Sequence, residues 1–132
     1  METYHKTAIK RKKPSAPAAW LYKNVGFDLD YSTLDYGCGR GDDAHYYGIQ
    51  KWDPISDNWD IFSLATYQKY KTILCTYVLN VLSTVEERMG TIESIKRLLA
   101  WDGTAYIAVR NDKKNLNGWT KKGTFQTFVE LD

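Results

Sequence analysis

An acid followed by three alternating glycines, Asp35, Gly37, Gly39 and Gly41, stands within Leu34-Asp35-Tyr36-Gly37-Cys38-Gly39-Arg40-Gly41-Asp42-Asp43. Glycine accepts positive φ and carries no Cβ, so a strand can turn sharply there and a ligand can approach bare backbone. The β-prone lead-in Tyr31-Ser32-Thr33-Leu34 and the polar exit after Gly41 suit a strand, a turn and a helix start. A dinucleotide fingerprint of the Gly-x-Gly-x-x-Gly type would need glycine at position 42, which is Asp42. A phosphate would also meet Asp35, Asp42 and Asp43, and like charges repel. The chemistry favoured is therefore capture of a ligand that carries positive charge.

The stretch Ile49-Gln50-Lys51-Trp52-Asp53-Pro54 reads as a short strand ending in an acid, Asp53, twelve residues beyond Gly41, with Pro54 stopping it. An acid at the end of the second strand of a nucleotide-binding α/β unit accepts hydrogen bonds from ribose hydroxyls. Asp53 is the candidate for that role, against the plainer alternative of a loop-capping aspartate before proline.

These residues need a scaffold of strands and helices. Residues 32–36 and 49–53 read as the first two strands, with a helix of little more than one turn over 42–47 between them. Residues 58–63 read as a weak third strand or a loop, and 71–77 as a buried fourth strand without alternation. Residues 78–82 continue into a loop or short helical turn. Ser83 and Thr84 can cap a helix, with Glu86 and Glu87 placed for return bonds. Val85, Met89, Ile92, Ile95 and Leu99 give that helix an apolar face. Trp101-Asp102-Gly103 reads as the turn ending it, and 104–110 as a fifth strand. A short helix is expected over 18–22, and a last strand over 124–131. Alternation of strand and helix implies an α/β fold with a parallel sheet and right-handed crossovers; the order three, two, one, four, five is expected.

The chain has 132 residues, enough for one domain. We divide it into a basic arm, 1–17, and a single domain, 18–132. Hydrophobic residues make 43% and charged residues 26%, as in a globular protein. No apolar run reaches the roughly 20 residues that cross a bilayer, and no membrane role is expected. Cys38 and Cys75 lack metal-ligand spacing and suit two reduced thiols in a cytoplasm. Lys6, Lys10, Arg11, Lys12 and Lys13 crowd the arm. They would allow nucleic-acid binding, although a solvated terminus or an electrostatic latch on an acidic neighbour is the favoured reading.

The glycine block resembles motif I of class I S-adenosylmethionine (SAM) methyltransferases. With His5-Lys6-Thr7-Ala8-Ile9-Lys10-Arg11, Ser15, Pro17, Trp52-Asp53-Pro54, Tyr77-Val78-Leu79-Asn80-Val81-Leu82 and Val109-Arg110, it resembles methyltransferases associated with DNA phosphorothioation operons. The short segment before Trp52 and the ending Lys122-Gly123-Thr124-Phe125-Gln126 resemble small phage-encoded methyltransferases. The resemblance implies a Rossmann-like sheet that lacks one C-terminal strand of the family, as in a trimmed relative or a fragment. It implies a SAM or S-adenosylhomocysteine ligand over Gly37, Cys38, Gly39 and Gly41, its ammonium held by backbone carbonyls and Asp35, and its ribose by Asp53. Trp52 and Pro54–Ile55 would flank the adenine, although Trp52 serves equally as core; Ser63 or Asp60 would reach the adenine amino group. Thr76, Tyr77 and Asn80 would line the methyl, with Tyr77 nearest the chemistry, and His5 or Tyr4 would supply a general base where one is needed.

After the fourth strand, the Asn/Asp-Pro-Pro-aromatic motif of base-amino methyltransferases is replaced by Thr76-Tyr77-Val78-Leu79. A small-molecule acceptor is therefore favoured over a nucleic acid recognised with a partner's help. A SAM-binding accessory protein without turnover is the alternative from another class. An apolar last strand implies either docking against the fifth strand or a symmetric homodimer across that edge.

Overall fold

In the computed structural model, the described residues are 13–37, 41–54, 57–64 and 69–109, together with the backbone of 118–119 and 125–126. Helix α1 (Ala16–Asn24) starts where Ser15, in extended conformation, accepts a bond from the Ala18 N–H and Pro17 presets the first turn. Ala16 and Pro17, assigned to the arm by sequence, thus form the start of this helix. Strand β1 (Thr33–Tyr36) is buried at all four positions, as expected for a strand covered on both faces. Helix α2 (Asp42–Tyr47) is bracketed by Gly41 and Gly48, both with positive φ. Strand β2 (Gln50–Trp52) follows.

The stretch expected as a third strand or loop is a loop and a one-turn helix, α3 (Ile61–Leu64). Asp60 decides this: its carboxylate accepts the Phe62 N–H at 2.9 Å and the Ser63 hydroxyl at 2.9 Å. Local side-chain acceptors of this kind compete with a sheet ladder for backbone donors. Strand β3 (Tyr70–Thr76) leads into a 3-10 turn, Leu79–Val81, and then helix α4 (Val85–Leu98). Thr84 caps α4 by accepting the Glu87 N–H at 3.0 Å, and the Glu87 carboxylate accepts the Ser83 hydroxyl at 2.8 Å.

The buried face of α4 is Thr91, Ile95 and Leu98, with Ile92 half-buried; the expected Val85 and Met89 are exposed. The seam begins later than the periodicity suggested, because the first turn of the helix stands clear of the sheet. Strand β4 (Leu99–Ala108) continues directly from α4, so Trp101-Asp102-Gly103 does not form the expected turn. It forms an irregularity inside the strand: Leu99 pairs with Tyr70, but Thr104 already pairs with Thr72. Gly103 suits that kink, since a Cβ there would lie 2.9 Å from the Tyr70 carbonyl oxygen.

Four strands form one parallel sheet in the order β2-β1-β3-β4. The expected order holds for the strands present, with β2 at the edge among the described residues because 58–63 supplies no strand. Leu34, Tyr36, Ile73 and Cys75 pack with Ile95 and Leu98 in one core cluster. Leu74 packs with Leu21, Ala44 and Ile49 in a second. Helices thus cover both faces.

A last pair, β5 (Gly118–Trp119) and β6 (Phe125–Gln126), is antiparallel and forms its own two-stranded sheet. Docking of Phe125–Gln126 against β4, expected from the sequence, is replaced by this local pairing, which closes a much shorter loop. The remainder of 124–131 lies outside the described residues.

Candidate functional site

The sheet order reverses between β1 and β3, and the carboxyl ends of its central strands form the crevice where open α/β sheets bind ligands. Four sequence-predicted residues meet there. Gly37 follows the last residue of β1, Asp53 follows the last residue of β2, and Thr76 ends β3 with Tyr77 immediately after it. Tyr36 pairs with Trp52 across β1 and β2, and the Gly37 N–H donates to the Trp52 carbonyl at 2.8 Å, so the glycine turn and the Asp53 loop share one backbone frame.

Asp53 is fully buried. Its N–H donates to the Asp57 carboxylate at 2.8 Å, and the Asp57 N–H returns to the Asp53 carbonyl at 2.9 Å. Asp57 also meets the Lys51 ammonium at 3.2 Å. This loop buttress was not anticipated; an aspartate four residues after another is too common a pattern to announce it. Asp35 is buried one residue before the end of β1, between Lys51 and Leu74 in the ladders. Burial, and secondarily Asp35, holds the Cys75 thiol in its neutral form, an inert core group.

Gly37 has φ of +70°, and a Cβ there would lie 2.8 Å from Val78 Cγ2. The glycine turn therefore packs against the loop after β3. In that loop Tyr77 adopts φ of +60°, the one non-glycine positive φ among the described residues. Its N–H donates to the Ala108 carbonyl at 2.8 Å, which pins the strained residue across to β4. Such strain persists only where the surroundings enforce it, and it clusters at functional sites.

Other candidates sit differently. Trp52 packs in the core beside Tyr36, Trp59 and Phe62, and its indole N–H donates to the Trp59 carbonyl at 3.1 Å. Its ring thus belongs to the core cluster. Asp60 and Ser63 are bonded to each other. Pro54 is half-buried beside Asp53. Asn80 lies in the 3-10 turn, but its side chain, like Tyr4, His5, Cys38, Gly39 and Ile55, lies outside the described residues. Asp43, grouped by sequence with a cation-attracting trio, is committed elsewhere: its two carboxylate oxygens accept the Ser15 N–H and the Ser15 hydroxyl, each at 2.6 Å.

A broad groove of about 900 Å3 lies away from the crevice, against the start of β3 and along β4, lined by Tyr22, Phe27, Lys71, Asp102 and Tyr106 among others. No group of three potential metal ligands occurs among the described residues. No helix among them is long and apolar enough to cross a membrane.

No family model and no curated protein matches the sequence. Among solved structures, a "DhpI-SAM-HEP complex" superposes with a TM-score of 0.50 over 86% of this chain and 70% of its own, at 13% identity. At that identity the likeness speaks for architecture: the chain has an α/β, Rossmann-like fold on a parallel sheet, shared with a protein solved as a SAM complex.

Proposed function

We propose that this chain is a SAM-dependent methyltransferase whose cofactor lies across the carboxyl ends of β1, β2 and β3. The observation carrying the reading is the buried Asp53 at the end of β2, one strand away from the positive-φ turn at Gly37, at the switch point of the sheet. The residues present fit the cofactor's chemistry. A carboxylate suits two ribose hydroxyls, and the glycine turn offers backbone with little steric cover.

In this reading the methionine end lies along Gly37, Cys38, Gly39 and Gly41, with Asp35 supporting the ammonium, and Asp53 takes the ribose. Pro54 borders the adenine. The bound sulfonium supplies the electrophilic methyl, and the protein supplies alignment and exclusion of water. Tyr77 and Thr76 face the methyl side. The enforced conformation of Tyr77 supports a fixed ring against which an acceptor is aligned, with its hydroxyl available to hold the acceptor's donor atom. Backbone of Phe125–Gln126 comes within 8 Å, Cα to Cα, of the turn Leu79–Val81, which supports the β5–β6 pair as a wall of the acceptor side. A small acceptor remains our preference, since the loop after β3 carries no proline.

A homodimer is a further part of the proposal. The outer edge of β4 has no strand partner among the described residues, and Trp101 on that strand is 97% exposed. Pairing two such edges would cover both.

Titration calorimetry with SAM and S-adenosylhomocysteine tests the binding half, and one-to-one binding is expected. Transfer of labelled methyl groups from SAM to a separated small-molecule pool tests the catalytic half. Binding without transfer to any small or macromolecular fraction would favour the accessory-protein alternative.

A further inference from the structure

We infer that Ser15 is a positioning residue for the cofactor turn, acting through Asp43; the inference rests on the proposed SAM site. Asp43 is the second residue of α2, directly after the glycine block. Gly41, the N-cap two residues earlier, has φ of +79° and contributes no side-chain cap. The helix is six residues long and ends at Gly48, so little within it fixes the angle at which it leaves the turn.

Ser15 provides that restraint. Its N–H and its hydroxyl donate to the two oxygens of Asp43, each at 2.6 Å, across 28 residues of sequence. Both residues are buried, Ser15 at 3% and Asp43 at 7% exposure. The same hydroxyl accepts the Ala18 N–H at 3.4 Å, so one side chain caps α1 and clasps the start of α2. A charged acceptor with two donors in a buried place is a strong and directional tie. With Leu21 and Ala44 packed in a shared cluster, the two helices form one unit that holds the exit of the glycine turn.

The clasp acts on the turn under the methionine end of the ligand, and Asp53 at the ribose end lies on a different loop held by Asp57. Loosening the clasp should therefore weaken ligands that carry the methionine moiety and spare those that do not. A general loss of folding would weaken both.

The experiment is titration calorimetry of S-adenosylhomocysteine and of adenosine with the full chain, its Ser15→Ala variant and its Asp43→Asn variant. We expect Ser15→Ala to lower S-adenosylhomocysteine affinity about tenfold, the worth of one net bond to a charged group, with adenosine affinity changed less than about twofold. Asp43→Asn, near-isosteric, should behave alike and decides the matter if Ser15→Ala fails to fold. Equal weakening of both ligands, or wild-type affinity for both, overturns the clasp while leaving the SAM site standing. A wild-type chain that binds neither ligand overturns the site and the clasp together.

Discussion

Gly37→Ala should destabilise the fold, and Val78 should account for about half of the effect. Gly37 sits at φ of +70°, where an L-residue costs about 1–2 kcal/mol relative to its usual conformations. The added Cβ would also lie 2.8 Å from Val78 Cγ2, inside ordinary contact, and Val78 is buried, so it cannot swing into solvent. Overpacking of a closed site costs about 1–3 kcal/mol. Together these give roughly 3 kcal/mol for Gly37→Ala. Val78→Ala alone should cost about 2 kcal/mol, in lost burial and cavity formation. The double variant removes both Val78 methyls and leaves its Cβ at 3.7 Å from the new one, an ordinary contact. Only the backbone strain and the lost valine should then remain, about 3.5 kcal/mol against the roughly 5 kcal/mol of independent effects. Urea denaturation of the four proteins measures this cycle. Additivity within about 0.5 kcal/mol would refute the reasoning, because it would mean that the glycine turn and the Tyr77 loop do not press on each other.

Asp53→Ala should leave the fold intact and weaken S-adenosylhomocysteine by about 3 kcal/mol, roughly a hundredfold, through loss of two hydroxyl bonds to a carboxylate; unchanged affinity in calorimetry would reduce Asp53 to a loop residue. Gly90→Ala should stabilise the protein by about 0.5–1 kcal/mol in urea, since Gly90 lies inside α4 with nothing within 4 Å of an added Cβ. Burial raises the hydroxyls of Tyr36, Tyr47 and Tyr70 above their ordinary value of 10.0, with a Ser94 hydrogen bond partly opposing it at Tyr36. The unfolded chain would release these protons near pH 10 while the folded chain retains them, so stability should be level below about pH 9 and fall as pH climbs through and beyond 10. Urea midpoints at about pH 8 and about pH 11 read this, and equal midpoints would contradict it.

Much of the scaffold was legible because local chemistry and long-range packing agree there. The boundaries of α2 follow from two glycines with positive φ, and β3 from a run of apolar and β-branched residues without alternation, buried at its centre. Thr84 and Glu87 announced the start of α4. The misses lie where a distant or competing partner decided. Asp60 turned an apolar stretch into a one-turn helix by taking its N–H groups. Trp101-Asp102-Gly103 looked like a turn because of its glycine, yet that glycine is needed for a close approach to Tyr70 within a strand. The site shows the same division. Asp53, Gly37 and Tyr77 stand at strand ends that periodicity can locate. The commitment of Asp43 to Ser15 joins residues far apart in sequence, and no local pattern reports it. The pressure of Val78 on Gly37 is equally hidden, because a glycine needed for packing and a glycine needed by a ligand look alike in a sequence.

The most direct measurement of the central claim is a crystal structure of the chain grown with S-adenosylhomocysteine. The ligand should lie across the carboxyl ends of β1 and β2, with both ribose hydroxyls in hydrogen-bond range of the Asp53 carboxylate and the sulfur turned towards Tyr77. A ligand seated instead in the groove between Tyr22 and Tyr106, or a crevice that stays empty at saturating ligand, would contradict it.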